Sequence, residues 1–336
     1  MKKKIKRMIW LLFVGMLAVG MLTGCGSTGN EDGLDENVAE ETTEALEETA
    51  EEDEQTENES NSSKDLGDRE RKSQDELPKA EEDMEAGVSD KPITMADLLN
   101  ESGIIQSRED VSLLPESVLW FNATYATLTY SNGCDWRIVG GMEPTEENAD
   151  LTKALLFSGW SVLTREDALD TAERLIEEGH RGKCQNCMDE LEEWGFLELS
   201  EEEFMEKIME MDPEENLGRY VITYYMHLNG IEPEYIAAFD LCRVNELYGY
   251  YYVCGFMDYE EAMDASLDNS LALQKMYGSW EEMMDAYLLG YQFWRGDLMI
   301  SDDSPTRERY HYYEMLSGLQ DNPYDIDWNT ELKKSW

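Results

Sequence analysis

Basic residues are scarce in this sequence, which has 27 Lys and Arg against 75 Asp and Glu and a formal net charge of −48 over 336 residues. Nucleic-acid binding depends on neutralising phosphates with Lys and Arg, so we expect no nucleic-acid partner. The same charge disfavours docking of the folded part on anionic lipid. A cationic ligand or a protein with a basic surface is compatible with it.

Familiar catalytic motifs are also missing. The chain has no Gly-x-Ser-x-Gly turn, no P-loop, no zincin helix and no dinucleotide-binding glycine pattern. Its apolar run from Met8 to Leu22 is shorter than the roughly 20 residues that a membrane-spanning helix needs. No motif therefore assigns a catalytic residue or a cofactor.

The N-terminus does carry a recognisable pattern. "MKKKIKR" is followed by the apolar run and then by "LTGC", which ends at Cys25. A basic start, an apolar segment and small residues predict a secretory signal peptide over 1–24. The last four residues resemble the lipobox of bacterial lipoproteins, which implies that Cys25 is lipidated. Membrane lipid would then be a partner, and several acyl chains would hold the protein on the extracytoplasmic face of the cell membrane. An uncleaved signal anchor is the alternative.

Beyond Cys25 the composition changes twice. Residues 26–90 contain 25 acidic and five basic residues and almost no aromatic or branched apolar ones. Such a segment cannot bury enough apolar area to offset its ordering entropy, which predicts a disordered acidic tether over 25–90. Residues 91–336 hold every tyrosine and all tryptophans but Trp10, so we expect one globular domain there.

Hydrophobic periodicity predicts an all-α domain. "PESVLWFNATYATLTYSNG" is expected to form one helix ending near Gly133. A second helix is expected to begin at Thr164, a candidate N-cap with Asp167 three residues on, and to stop at Gly179. "EPEYIAAFDLCRVNELYGYYYVCG" is apolar nearly all round, which is typical of a buried central helix. A further helix carries a stripe that we expect to pack in the core: Trp280, Met284, Tyr287, Tyr291 and Trp294.

Several segments together resemble one protein family. "SGWSVLTREDALDTAERLIEEGHR", "IAAFDLCR", "YEEA" and "YGSWEEMMDAYLLGYQFW" occur in the order found in a bacterial family catalogued as domain of unknown function 1266. The resemblance extends from about Leu119 to Trp294. It implies an all-helical domain and no particular activity. The chain departs from the family pattern at Phe239 and Cys242, where the family has Trp and Gly.

Asp240 and Arg243 form the first candidate polar site. They are three residues apart on the expected central helix and share its apolar stripe with Ile236 and Leu247. Burying two charges costs several kcal/mol per ion unless hydrogen bonds complete the pairing. The pair is therefore either an internal salt bridge that fixes the helix register or part of a polar cleft.

His180 and Arg181 form the second candidate. His180 continues the core face of the helix that begins at Thr164, so its default role is to cap the C-terminus of that helix. A polar network reaching Asp240 or Arg243 is the functional alternative, and metal ligation is a third. Arg181 could serve the same helix carbonyls or pair with a carboxylate.

The stretch "EEGHRGKCQNC" would place His180, Cys184 and Cys187 on one face of a continuous helix. Gly179 and Gly182 are expected to interrupt that helix. Structural zinc needs four ligands, usually in two pairs, and no second pair lies nearby. We predict buried free thiols ahead of a disulfide, and assign no metal.

Two functional hypotheses follow. The first is a membrane-anchored helical module that binds a ligand or an envelope protein. The alternative is an uncharacterised, hydrolase-like envelope enzyme whose cleft gathers His180, Asp240, Arg243 and Glu178. The two differ in geometry, because the enzyme needs these side chains to converge in one solvent-open pocket.

Overall fold

The computed structural model describes residues 93–102, 114–211, 216–301 and 303–336. The predicted signal peptide, Cys25 and the predicted tether lie outside these residues. All regular secondary structure in the described ranges is helical, which confirms the all-α prediction. None of these helices is long and apolar enough to cross a membrane.

The α-helices are, in chain order, α1 (Met95–Ser102), α2 (Glu116–Thr124), α3 (Ala126–Ser131), α4 (Glu146–Trp160), α5 (Arg165–Glu177), α6 (Gly179–Glu193), α7 (Glu201–Met211), α8 (Leu217–Leu228), α9 (Ala237–Val253), α10 (Tyr259–Met276), α11 (Trp280–Arg295) and α12 (Pro305–Ser317). Short 3-10 turns occupy Val139–Gly141, Pro233–Ile236 and Pro323–Asp325.

Helix α9 is the centre of the domain. Every one of its residues except Tyr252 is buried, as its nearly all-round apolar character predicts. Helices α10 and α11 pack along it, and α5, α6 and α2 cover its remaining sides. The buried side-chain amide of Asn245, on α9, is hydrogen-bonded to two neighbouring helices. Its Nδ2 donates to Thr124 Oγ1 on α2 and to Ser270 Oγ on α10, each at 3.0 Å.

A close backbone crossing holds the loop after α3 against α9. Gly140 has a φ of +68°, and a Cβ placed on Gly249 would lie 2.6 Å from the Gly140 nitrogen. Two glycines are needed here because any side chain would push the loop and the helix apart. The Gly140 N–H donates to the Tyr125 hydroxyl at 3.2 Å, which fixes the loop from its other side.

The single helix predicted to end near Gly133 is wrong, because the segment is split into α2 and α3 at Tyr125. The Thr124 hydroxyl donates to the Phe121 carbonyl at 2.6 Å and competes with the backbone for that acceptor. Threonine bonds of this kind bend helices. Apolar periodicity alone does not reveal them.

The segment after α12 has little regular structure but is firmly packed. Indole N–H groups and main-chain carbonyls join it to the helices. Trp280 Nε1 donates to the Ile326 carbonyl at 2.6 Å, and Trp120 Nε1 donates to the Trp328 carbonyl at 3.3 Å. Trp328 Nε1 in turn donates to the Tyr277 carbonyl at 3.2 Å. This segment therefore belongs to the core of the domain.

Candidate functional site

The site begins at the junction of α5 and α6. Thr164 is the N-cap of α5, as predicted, and Asp167 completes a capping box with it; the helix ends at Glu177. Gly179 has a φ of +55° and starts α6 in a new direction, so His180 lies in the first turn of α6. The default prediction that His180 caps the C-terminus of α5 is wrong for this reason.

His180 instead holds the carboxylate of Asp240. Its backbone N–H donates to Oδ2 at 2.8 Å, and its ring Nδ1 lies 2.7 Å from Oδ1. Asp240 is fully buried and His180 is 2% exposed. The side chain of Asp240, on α9, therefore caps the N-terminus of α6, where the helix dipole favours a negative charge.

Gly179 is required by this contact as well as by its φ. A Cβ built on Gly179 would overlap the Asp240 carboxylate and come within 2.9 Å even of the farther oxygen. The short segment "GHR" thus combines a glycine that admits the carboxylate with the two N–H donors of His180 that bind it.

Arg181 takes the capping role that the sequence suggested for His180. Its Nη1 donates to the Leu175 carbonyl at 3.1 Å, and its Nη2 donates to the Ile176 carbonyl. These bonds satisfy free carbonyls at the C-terminus of α5. Nη1 also lies 3.8 Å from Asp240 Oδ2, and Nε pairs with the exposed Glu234 at 3.1 Å.

The guanidinium group of Arg243 lies one turn further along α9. It sits over the rings of Trp160 at 4.3 Å, Phe239 at 4.6 Å and Trp294 at 5.4 Å, measured to the ring centroids. Arg243 is 6% exposed, so these cation–π contacts are largely shielded from water and each contributes roughly 0.5–2 kcal/mol.

The tautomer of His180 decides how it relates to Arg243. The 2.7 Å contact with an acceptor-only carboxylate requires a proton on Nδ1. Nδ1 therefore cannot also accept a hydrogen bond from Arg243 Nη1, which lies 3.5 Å away. His180 and Arg243 are neighbours, and Asp240 supplies the negative charge of the group.

Arg243 also lines a pocket of about 80 Å³ between α4, α9, α11 and α12. Its ionisable lining groups are two arginines, Arg243 and Arg309, one carboxyl group, Glu246, and tyrosine hydroxyls. Four lining residues are only half-buried, so we take them as the solvent-facing mouth of the pocket: Leu128, Asn132, Leu155 and Trp160. The aromatic walls are Trp160, Phe239, Tyr250, Tyr287, Tyr291 and Trp294.

Glu246 is an acid in an unfavourable place for a negative charge. It is 5% exposed, and burial raises its pKa to about 8. The Tyr250 hydroxyl donates to Oε1 at 3.2 Å and, with Arg309 and Arg243, offsets only part of that effect. Burial therefore favours the neutral, protonated form of Glu246 at neutral pH.

Arg309 reaches the pocket from α12. Its guanidinium lies 4.8 Å from the centroid of the Tyr291 ring, and Nη1 donates to the Tyr287 hydroxyl at 3.5 Å. The side chain is 4% exposed. Sequence reasoning missed Arg309 because 66 residues separate it from Arg243, and only tertiary packing joins them.

The predicted site residues fall into two connected groups. The buried His180 and Asp240 and the half-buried Arg181 form one polar network, and none of them lines the pocket. Arg243 lies between that network and the pocket. Glu178, the fourth member of the hypothetical enzyme cleft, is exposed and does not line the pocket either.

The stripe of α11 packs in the core as predicted, because all five of its residues belong to one buried cluster. Three of them, Tyr287, Tyr291 and Trp294, also line the pocket. Glu246 was missed although it left a signal in the sequence. It is an acid three residues after Arg243 on a helix that is apolar on nearly all sides.

The cysteines take no part in this site. Helix α6 runs through Gly182 without a break, contrary to expectation, and buries His180, Cys184 and Cys187. The five cysteines in the described ranges are free and buried, as predicted. Burial raises the pKa of Cys184 to about 12 and that of Cys187 to about 11, so both stay protonated. Across the described residues, no three or more His, Cys, Asp or Glu side chains are grouped as metal ligands.

Fold and site together define an all-helical domain with an internal polar network beside an arginine-containing aromatic pocket. The chain belongs to the family described as "Protein of unknown function (DUF1266)", whose pattern matches residues 156–330. The match begins later than the expected Leu119 and extends past Trp294 into the packed C-terminal segment. It includes α5, α6, α9, α11 and α12. No curated protein and no solved structure is detectably similar to the chain.

Proposed function

We propose that the protein is a ligand-binding module anchored to the extracytoplasmic face of a bacterial membrane through lipidated Cys25. The observation that carries the binding role is the pocket lined by Arg243, Arg309 and Glu246. Ligand sites are characteristically concave and apolar with a few convergent polar groups, and this pocket has that composition.

The neighbouring network supports a role in binding. The Asp240 carboxylate, fixed by two bonds from His180, holds α6 against α9 immediately behind Arg243. Arg243 is held on its faces by three aromatic rings. A side chain positioned this firmly loses little entropy when a ligand arrives, and preorganisation of that kind increases affinity.

The anchoring part of the proposal rests on sequence. "LTGC" has the lipobox pattern, and the acidic segment that follows would hold the helical domain away from the lipid surface. An envelope protein bound by the same domain is compatible with this arrangement.

The enzyme hypothesis is not favoured by any specific contact. It required His180, Asp240 and Arg243 to meet in a solvent-open pocket, and of these only Arg243 lines one. Asp240 is bound on both oxygens by His180, which is the pattern of a structural cap.

Anchoring is tested with Cys25→Ser. The variant should shift from the membrane fraction to the soluble fraction of fractionated cells, because the proposed acyl chains have no other attachment site. Cys134→Ser is the matched control, since that buried thiol lies inside the domain. Continued membrane retention of the Cys25 variant would refute the lipid anchor.

Binding is tested by thermal-shift screening of the full-length protein with small anions, cations and neutral molecules. Leu155→Trp places a bulky ring at the pocket mouth, whereas Leu151→Trp adds the same ring one turn earlier on α4, outside the lining. Stabilising compounds should lose their effect in the first variant and keep it in the second. The binding proposal fails if no charge class stabilises the wild-type protein.

A further inference from the structure

A second cavity, of about 340 Å³, lies where two helices end. Gly230 and Ile231, which line it, follow the C-terminus of α8, and the lining residues Met276 and Tyr277 are the last residue and the C-cap of α10. The carbonyl groups at the C-terminus of a helix carry a partial negative charge. Helix ends of this kind therefore favour a cation over an anion in the cavity beside them.

Two tyrosine rings form walls of this cavity. The ring centroids of Tyr235 and Tyr277 are 6.1 Å apart and the rings meet at 80°, so the two walls are nearly perpendicular. The Tyr277 hydroxyl accepts a hydrogen bond from the Ala238 N–H at 2.9 Å and donates to the Tyr235 carbonyl at 2.8 Å. These bonds fix one ring against the turn that carries the other. Because the face of a tyrosine ring attracts cations, a fixed aromatic corner is suited to a positively charged group.

Carboxylates give the cavity a negative charge. Glu232 and Glu234 line it, and none of its lining residues is a lysine, arginine or histidine. Glu234 is already paired with Arg181, whose Nε lies 3.1 Å from its carboxylate, whereas Glu232 forms no ion pair with any described residue. Glu232 is therefore the carboxylate best placed to offset the charge of a ligand.

Other carboxylates act on the same aromatic walls. Burial raises the pKa of Tyr235, and the neighbouring carboxylates of Asp285 and Glu282 raise it further. Burial also raises the pKa of Tyr277, and Glu234 adds to that rise. Nearby negative charge makes a phenol harder to ionise, so the contribution of these acids indicates a negative potential at both rings.

The lining also indicates which kind of cation is suited to the cavity. Apart from the two glutamates, its larger side chains are apolar or aromatic: Ile231, Tyr235, Met276 and Tyr277. A primary ammonium group is strongly hydrated and needs acceptors to replace its water. A quaternary ammonium group has no N–H donors, and its methyl groups can pack against aromatic rings and a thioether.

The cavity is large enough for such a group. Its volume of about 340 Å³ is roughly twice the 150 Å³ of a cavity known to hold benzene. A trimethylammonium group and a short attached chain therefore fit within it.

We infer that this cavity binds a small organic cation whose quaternary ammonium group lies against the rings of Tyr235 and Tyr277, with its charge offset by Glu232. The site is separate from the pocket at Arg243 and goes beyond the function proposed for that pocket. The net charge of −48 on the whole chain favours the approach of a cation.

Isothermal titration calorimetry tests the inference with full-length protein in neutral detergent at constant ionic strength. The first probe is choline, and its neutral isostere is the alcohol in which a carbon atom replaces the nitrogen. Pivalate supplies an anion with the same branched group, and ethanolamine supplies a primary ammonium. Choline should bind at least about tenfold more tightly than the alcohol, because attraction to the rings and to Glu232 is lost with the charge. It should also bind more tightly than pivalate and ethanolamine.

Matched variants test the contacts. Tyr235→Leu removes a ring but keeps apolar bulk, and should weaken choline binding about tenfold, whereas Tyr235→Phe keeps the ring and should bind choline like the wild type. Glu232→Gln should weaken choline binding and leave binding of the alcohol unchanged. Glu232 is exposed, so this variant keeps the test decisive even where Tyr235→Leu does not fold. Glu147→Gln removes an exposed acid from α4, outside the lining, and should leave choline binding unchanged.

Several results would overturn the inference. They are absence of choline binding, equal affinity for choline and the alcohol, tighter binding of pivalate or ethanolamine, and equal effects of Glu232→Gln and Glu147→Gln. Choline binding that is abolished by Leu155→Trp and unaffected by Glu232→Gln would also overturn it, because the ligand would then occupy the pocket at Arg243. A cation whose binding survives Leu155→Trp and is lost in Tyr235→Leu belongs to this second cavity. Such a result supports the inference and leaves the function proposed for the pocket at Arg243 to its own screen.

Discussion

Substitution of Gly179 by alanine tests the contact on which the buried network depends. The new Cβ would overlap the Asp240 carboxylate, and alanine at a φ of +55° costs about 1–2 kcal/mol. Displacing the carboxylate weakens two charge-assisted hydrogen bonds, which contribute roughly 1.5–3 kcal/mol each. Alanine also lowers the conformational entropy of the unfolded chain, which offsets about 0.4–1 kcal/mol of this destabilisation. We expect the free energy of unfolding to fall by about 3–5 kcal/mol.

Gly182→Ala is the matched control. Gly182 lies in α6, and the nearest atoms to a Cβ there belong to the side chain of Glu178, with Cγ at 2.5 Å; that side chain is exposed, so it can rotate away into solvent. Alanine is favoured over glycine inside a helix by up to about 1 kcal/mol, so this variant should be neutral or slightly stabilised. Of these two substitutions, three residues apart, only Gly179→Ala should therefore lower the free energy of unfolding.

Urea unfolding followed by circular dichroism measures both variants, and thermal melting provides a second readout. At about 2–4 °C per kcal/mol for a domain of this size, Gly179→Ala should melt roughly 6–20 °C below the wild type. In an Asp240→Ala background, Gly179→Ala should lower the free energy of unfolding by only about 1–2 kcal/mol. That is the cost of placing alanine at a positive φ, and the clash with the carboxylate is absent. Equal effects of the two glycine substitutions, or full additivity in the double variant, would refute the reasoning.

Two further predictions concern buried charges. Asp240→Ala should lower the free energy of unfolding by about 3–5 kcal/mol, because it leaves the His180 donors and Arg181 without their carboxylate; a near-neutral result in denaturant unfolding would contradict the structural role. Burial raises the pKa of Glu246 from 4.5 to about 8, so the folded state binds the proton more tightly. The stability from this proton is fully present below pH 4.5 and is lost as the pH rises through about 8, a loss of up to about 5 kcal/mol. Unfolding measured against pH should show that decline in the wild type and a flatter profile in Glu246→Gln; parallel profiles would exclude the shifted pKa.

Much of the local structure could be predicted from sequence because it depends on neighbours along the chain. Thr164 and Asp167 predict the start of α5, and the apolar residues on nearly all sides of α9 predict its burial. Gly179 ends α5 as predicted, since that helix stops at Glu177. The immediate start of α6 at the same glycine was not predicted, because a positive φ redirects the backbone without stopping helical bonding beyond it.

For the candidate site, the residues could be predicted from sequence but their contacts could not. His180, Arg181, Asp240 and Arg243 could be chosen from sequence because charged residues on apolar helix faces need partners. Which group each of them would contact could not be predicted. Arg181 took the capping role expected of His180, because the turn at Gly179 aims the histidine at Asp240 and leaves the arginine beside the α5 carbonyls.

The sequence by itself determined the helical class of this protein, the buried position of α9 and the charges that had to be compensated there, since periodicity and burial cost are local properties of the chain. Only the tertiary structure decided that Arg309 would join Arg243 and Glu246 in one pocket. The physical reason is that these groups lie on helices distant in sequence. The distances between them are set by the packing of α4, α11 and α12 around α9, which no periodic pattern along the chain encodes.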